Sequence, residues 1–269
     1  MASFKKYRVD GSKFSLASID PAASPFLEGD EQAQRDRLEQ LAGELDELQN
    51  LLHAEGRRKV LLVLQGMDTS GKDGTIRWVF SRTSPLGVRV TAFKAPNEDE
   101  RARDYLWRCH ANVPRGGEIM VWNRSHYEDV LVPWVEGWID KAELRRRYAQ
   151  IQDFERLLAE TGTVVVKCML HISKKVQRER LQARIDDPEK RWKFHRTDLD
   201  VRKKWAAYQH AYEQALAATS SRHAPWHVIP ADSKPHRNLM IAQLLVKTLR
   251  GMKLAVPPAD PSLDGLVVV

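Results

Sequence analysis

Cysteine is scarce: only Cys109 and Cys168 occur among 269 residues. Two thiols so far apart form neither a disulfide framework nor a zinc-ligand spacing, which favours a reducing compartment and makes the cytoplasm the expected location. Long apolar runs are missing as well. The longest unbroken aliphatic stretch, Val60 to Leu64, falls far short of the roughly 20 residues a membrane span needs. Met1 to Val9 carries Lys5, Lys6 and Arg8 with no apolar stretch behind them, so a secretory leader is not expected. No internal repeat is apparent. No helix-turn-helix, zinc-finger or aromatic RNA-binding signature appears either, so no nucleic-acid partner is expected.

What is present is a 42% apolar fraction, enough for a sizeable core, and a net charge of +7. A basic balance suits a polyanionic partner: nucleic acid, a phosphorylated metabolite or a phosphate polymer. Residues 1 to 58 read as an irregular arm followed by an amphipathic helix, Glu31 to Glu55, in which Leu38, Leu41, Leu45, Leu48 and Leu52 follow 3-4-3-4 spacing. That stripe packs on the domain or forms an oligomer seam. Residues 59 to 256 form the core. Its strand candidates are Lys59 to Gln65, Val88 to Phe93, Glu118 to Trp122, Thr163 to Ile172 and Trp226 to Pro230. Helical patterns separate them at Gly74 to Ser81, Asp99 to Cys109, Lys141 to Glu160, Ser173 to Ile185 and Asp198 to Ala218. This alternation predicts an α/β fold, a parallel sheet with helices on both faces. Residues 257 to 269 read as a tail, in which Leu266 to Val269 could add to a sheet edge.

The strongest motif is Gly66-Met67-Asp68-Thr69-Ser70-Gly71-Lys72, a match to G-x-x-x-x-G-K placed directly after the aliphatic strand and before a helix. Glycines let successive backbone N–H groups of such a loop converge, and the next helix presents its N-terminal dipole to the same spot. Lys72 adds a mobile charge against phosphate oxygens. The phosphate-binding set is therefore Gly66, Met67, Thr69, Ser70, Gly71, Lys72, Asp73 and Gly74. Where the usual motif ends in Ser or Thr, this chain has Asp73. Asp68 also places a carboxylate among anion-attracting groups, which requires a cation to join them. Magnesium is the natural candidate, and Asp68 is assigned to metal or acceptor organisation. Asp73 shares that role or caps the helix.

A second cluster follows the third strand. Arg124 can grip a phosphate bidentately. Asn123 stands where a P-loop protein usually keeps its strand-end carboxylate, and Glu128 and Asp129 could hold a metal through water or position the acceptor. His126 caps or packs, without a catalytic role. A third region, about 178 to 205, gathers Arg184, Lys190, Arg191, Lys193 and Arg196 around Asp186-Asp187-Pro188. It reads as a solvated basic helix pair or, given the P-loop, as a lid that closes over phosphates. Trp192 and Phe194 read as packing residues. Lys94, after the second strand, points toward the crevice by its position.

At these residues the sequence resembles the second polyphosphate kinase family. The resemblance covers nearly the whole chain. It runs through KKYRV (Lys5 to Val9), QGMDTSGKDGTIR (Gln65 to Arg77), RDYLWR (Arg103 to Arg108), NRSHYEDVLV (Asn123 to Val132), DPEKRWKF (Asp187 to Phe194) and APWHVIPA (Ala224 to Ala231). The loop and the NRSHYED string look like the subgroup called class III. The resemblance implies a thymidylate-kinase-like three-layer sandwich with a five-stranded parallel sheet and a helical lid. It implies phosphoryl transfer from inorganic polyphosphate to AMP and ADP, with ATP as a product. It implies magnesium, with manganese as an alternative ion, and a homo-oligomer, dimer or tetramer. It carries Asp68, Lys72 and Arg124 over as essential residues, and Arg184 with the Lys190 to Lys193 stretch as lid; charge neutralisation at the phosphoryl group adds Arg184 to the catalytic set. Relatives of other classes carry Asp where Asn123 stands. The rival readings are an ATP-dependent nucleoside monophosphate kinase, a nucleic-acid-binding P-loop protein, and a structural protein assembled through the Leu38 to Leu52 helix.

Overall fold

A computed structural model describes residues 3–11 and 14–268. Five strands, β1 (Lys59–Gln65), β2 (Val88–Ala92), β3 (Ile119–Asn123), β4 (Thr163–His171) and β5 (Trp226–Pro230), form one sheet in the order β2-β3-β1-β4-β5. Every pairing is parallel. β1 lies at the centre, where both faces are covered, and Val60 through Leu64 are fully buried. A continuous aliphatic run is what such a strand requires.

The helices divide between the two faces. α1 (Glu31–Glu55), α2 (Lys72–Val79) and α10 (Lys234–Gly251) pack together on one side. α5 (Glu128–Val135), α6 (Lys141–Glu160) and α9 (Trp205–Thr219) pack together on the other. α1 starts at Asp30, whose side chain accepts from the Ala33 N–H, and it buries Leu41, Leu45 and Leu52. α1 packs against α10, so its leucine stripe belongs to the core and is not an exposed oligomer seam. α10 was not marked by the sequence pattern. It is buried on most sides, with His236, Arg237 and Asn238 among the apolar residues, so no clean apolar stripe betrays it.

Two expected helices are broken. The Asp99 to Cys109 pattern resolves into α3 (Glu98–Arg101) and α4 (Trp107–His110). A capping box between Asn97 and Glu100 starts the first, and the Asp104 carboxylate accepting from the Leu106 N–H turns the chain between the two. The Asp198 to Ala218 pattern breaks at Lys204 (φ −87°, ψ 19°) into α8 (Thr197–Lys203) and α9. α7 (Lys174–Asp186) opens the basic region read from the sequence at about 178 to 205.

The arm is not a loose appendage. Tyr7, Val9, Leu16, Ile19 and Phe26 are buried. Arg8 bridges antiparallel to His227, and Val9 donates its N–H to the Trp226 carbonyl, so the arm covers the outer edge of β5. At the other end, Leu266 to Val268 are exposed and outside any strand, which overturns the sheet-edge reading for them; Val269 lies outside the described residues.

Candidate functional site

The site forms where β1 and β3 end. After Gln65 the chain turns through Gly66–Gly71, and α2 begins at Lys72. Gly66 has φ 152°, and a Cβ there would lie 2.6 Å from the Leu170 carbonyl oxygen of β4. Only glycine lets the loop leave the sheet so close to its neighbour. Thr69 adopts φ 64°, an uncommon conformation for a β-branched residue and one that the surrounding structure must hold in place. Lys72 is buried, and its ammonium donates to the carbonyls of Gly66 (2.8 Å) and Met67 (3.4 Å). Burial, aided by Arg124, pushes its pKa down to about 8 against the pull of Asp68, Glu128 and Asp73.

Arg124 is the hub. It too has a left-handed backbone, φ 65°, and its N–H donates to the Leu64 carbonyl, fixing it beside the end of β1. Its guanidinium donates to Asp68 Oδ1 at 2.7 Å and to Glu128 Oε2 at 3.1 Å. The Glu128 carboxylate leads the forces that hold Arg124 charged. Asn123 donates its amide to Asp73 Oδ1 at 2.6 Å. Asp73 is therefore tied to β3, and α2 has no side-chain cap.

The structure thus brings Asp68, Lys72, Asp73, Asn123, Arg124 and Glu128 into one cluster. Asp129 does not join it. Its carboxylate pairs with Arg108 at 2.9 Å, and burial raises its pKa despite that partner. Lys94 is exposed, while its backbone carbonyl accepts from Arg108 at 2.8 Å. In the basic segment, Arg184 donates to the Lys193 carbonyl (3.0 Å) and Arg191 to the Ile185 carbonyl (2.8 Å). Lys190 pairs with Asp187. Trp192 is 73% exposed, with the Lys193 ammonium over its ring, so it is not a packing residue. His126 is fully buried beside Glu155 (3.3 Å) and packs edge-on to Trp122.

The model of the family Polyphosphate kinase 2 (PPK2) matches residues 28–257. The chain belongs to this family. It is 50% identical over 266 residues to an AMP/ADP-polyphosphate phosphotransferase of Meiothermus ruber, covering 98% of this chain and 99% of the relative. It is 40% identical to an ADP-polyphosphate phosphotransferase of Rhodopseudomonas palustris, covering 96% and 93%. A crystal structure of polyphosphate kinase 2 from Arthrobacter aurescens superposes with a TM-score of 0.92 at 46% identity, covering 96% of this chain and 93% of that one.

Several residues around this candidate site carry no clear signal in the sequence. Gln177 and Arg180 on α7 donate to the loop carbonyls of Asp68 (3.3 Å) and Thr69 (3.0 Å). Arg237 on α10 donates to the Ser70 carbonyl (3.2 Å). Tyr212 on α9 is buried, and Glu128, Arg124 and Asp68 all bear on its titration, behind burial, which raises its pKa. Asp198 has a pKa raised by burial first and then by the charge of Asp68. The only advance signal for Gln177 and Arg180 is their i, i+3 spacing on a helix already read as basic.

The donor set bears on a metal. Among the described residues no three His, Cys, Asp or Glu side chains converge on one point. Asp68, Asp73 and Glu128 nonetheless all act on Lys72. Asp68 and Glu128, which share Arg124, are ligands of the type a hard divalent ion takes one or two of, completing its shell with substrate phosphates and water.

Proposed function

We propose that the protein is a polyphosphate-dependent nucleotide kinase that moves the terminal phosphoryl group of inorganic polyphosphate to AMP and ADP, giving ADP and ATP, in either direction. The observation that carries this reading is the Arg124 bridge between Asp68 and Glu128 beside Lys72. It is an anion-binding loop furnished with its own carboxylates, in a chain that matches an AMP/ADP-polyphosphate phosphotransferase over nearly its full length.

Phosphoryl transfer asks for positioning and charge neutralisation more than for covalent chemistry. The reacting phosphoryl group lies against the loop N–H groups and the start of α2. Lys72 leaves the Gly66 carbonyl to meet it, and Arg124 turns part of its fork to the equatorial oxygens. Asp68, with Asp73 or Glu128, would hold the divalent ion, magnesium or alternatively manganese. When bound, that ion neutralises phosphate charge. The attacking oxygen of AMP or ADP is already ionised at neutral pH, so Asp68 orients groups and removes no proton. The lid residues Arg184, Lys190, Arg191 and Lys193 exchange their present partners for the polymer as the lid closes. Buried free thiols at Cys109 and Cys168 suit a reducing cytoplasm, and no helix among the described residues is long and apolar enough to cross a membrane. A homo-oligomer would use a surface other than the buried leucine stripe of α1.

Incubation with polyphosphate, magnesium and AMP, followed by separation of nucleotides over time, tests the reading. ADP and then ATP are expected. Transfer from ATP but not from polyphosphate would overturn it.

A further inference from the structure

Arg237 is 2% exposed. Its guanidinium donates to the Ser70 carbonyl at 3.2 Å and to Asn238 Oδ1 at 3.1 Å from Nε and 2.9 Å from Nη2. Both acceptors are neutral. Burial pushes its pKa down to about 9, and the other charge bearing on it, Arg180, acts in the same direction. Among the described residues no carboxylate pairs with it, and a buried cation so placed is costly to keep, so its position needs a reason.

The glycines supply one. A Cβ at Gly71 would lie 1.8 Å from Arg237 Nη1, and one at Gly74 3.3 Å from Nη2. Both positions lie open so that the guanidinium can rest against the first turn of α2. Arg180 reaches the same stretch from α7, donating to the Thr69 carbonyl at 3.0 Å and the Ser70 carbonyl at 3.4 Å. Its other nitrogen ties the loop to the carbonyls of Ala231 (2.9 Å) and Asp232 (2.8 Å), just before α10. Two guanidinium groups therefore converge on the Ser70 carbonyl. Across a planar trans peptide, C=O and the following N–H point in opposite directions. Holding the Ser70 carbonyl from one side turns the Gly71 N–H to the opposite side, away from the two guanidinium groups.

We infer that Arg237, braced by Arg180, is a positioning residue for polyphosphate: it aims the Gly71 N–H at the bound phosphate, and its uncompensated charge is balanced by the polyanion itself. This rests on the function proposed above. Arg237 touches no phosphate and acts through the loop and through its field.

The test measures the Kd of tripolyphosphate with magnesium by calorimetry, beside the thermal midpoint of each variant alone. Arg237→Gln is expected to weaken binding about tenfold or more, the scale of one charge acting at an effective dielectric near 20. The KM for polyphosphate should rise in parallel. Arg237→Lys keeps the charge and should bind within about threefold of the parent, by the same Coulomb reasoning. A purely structural residue would lower the midpoint and leave the Kd of the folded protein unmoved. Unchanged affinity in Arg237→Gln, or a loss in Arg237→Lys as large as in Arg237→Gln, overturns the inference. Should Arg237→Gln not fold, Arg237→Lys decides alone: near-parental affinity supports the inference and a tenfold loss ends it. A parent protein that neither binds tripolyphosphate nor phosphorylates AMP would instead overturn the proposed function.

Discussion

Arg124 and Asp68 stand 56 positions apart in the chain and 2.7 Å apart in the structure. The contact joins the end of β3 to the loop after β1, and the same guanidinium reaches Glu128 one helical turn on. Arg124→Ala should leave two carboxylates facing each other beside Lys72. Turnover should fall by about a hundredfold or more, the usual cost of losing one donor at a developing charge. Circular dichroism and steady-state kinetics check this together, and a folded variant with near-parental kcat would refute the hub role.

Lys72→Ala and Asp68→Ala are expected to lower turnover by about two to three orders of magnitude while the fold survives. Both residues sit at the loop, and neither belongs to the apolar core. Coupled assays on purified variants measure the loss, with AMP and with ADP as acceptors.

The pH response follows from Lys72. Its folded pKa, about 8, is below the ordinary lysine value of 10.5. Between those two values the unfolded chain binds more protons than the folded one. The lysine's contribution to stability of the ligand-free protein therefore rises with pH from about 8 toward 10.5. Phosphate binding has the opposite sign, because it needs the charged ammonium: kcat/KM for polyphosphate should decline with a one-proton slope above pH about 8. Lys72→Arg, whose charge persists, should lose that alkaline limb. A limb that survives the substitution belongs to another group.

Affinity for long polymer should fall steeply with potassium chloride if the basic lid tracks the chain, since each neutralised phosphate releases a counterion. Lys190→Ala with Lys193→Ala should flatten the slope of log KM against log salt. An unchanged slope removes these two residues from the track.

Lys167 is a core matter rather than a site matter. Its ammonium, fully buried, donates to Glu155 at 2.6 Å, to the Tyr127 hydroxyl at 2.8 Å and to the Thr219 carbonyl at 3.0 Å. Lys167→Met strands Glu155 in the interior and should cost about 3–5 kcal/mol of stability, read by denaturant unfolding.

Much of this was legible beforehand, for identifiable reasons. The run from Val60 to Leu64 marks a strand covered on both faces, and the glycines after it mark the loop. What stayed hidden depended on direction or distance. Glu128 and Asp129 look equivalent as neighbours. Consecutive helical residues point about 100° apart, so one faces Arg124 and the other Arg108. Arg237 is 167 positions from the loop carbonyl it holds, on a helix whose burial on most sides erases its periodic signal. The break at Asp104 is a local hydrogen bond that outcompetes a helical pattern.

The antiparallel bridge between Arg8 and His227 ties the N-terminal arm to β5, the edge strand that comes last in the chain. While the ribosome is still at work, Tyr7, Val9 and Phe26 have no finished interior to enter, because β5 begins only at Trp226. Contacts of such long sequence separation slow folding and leave apolar surface uncovered in the meantime. Until that strand arrives, the apolar residues of the arm stay uncovered.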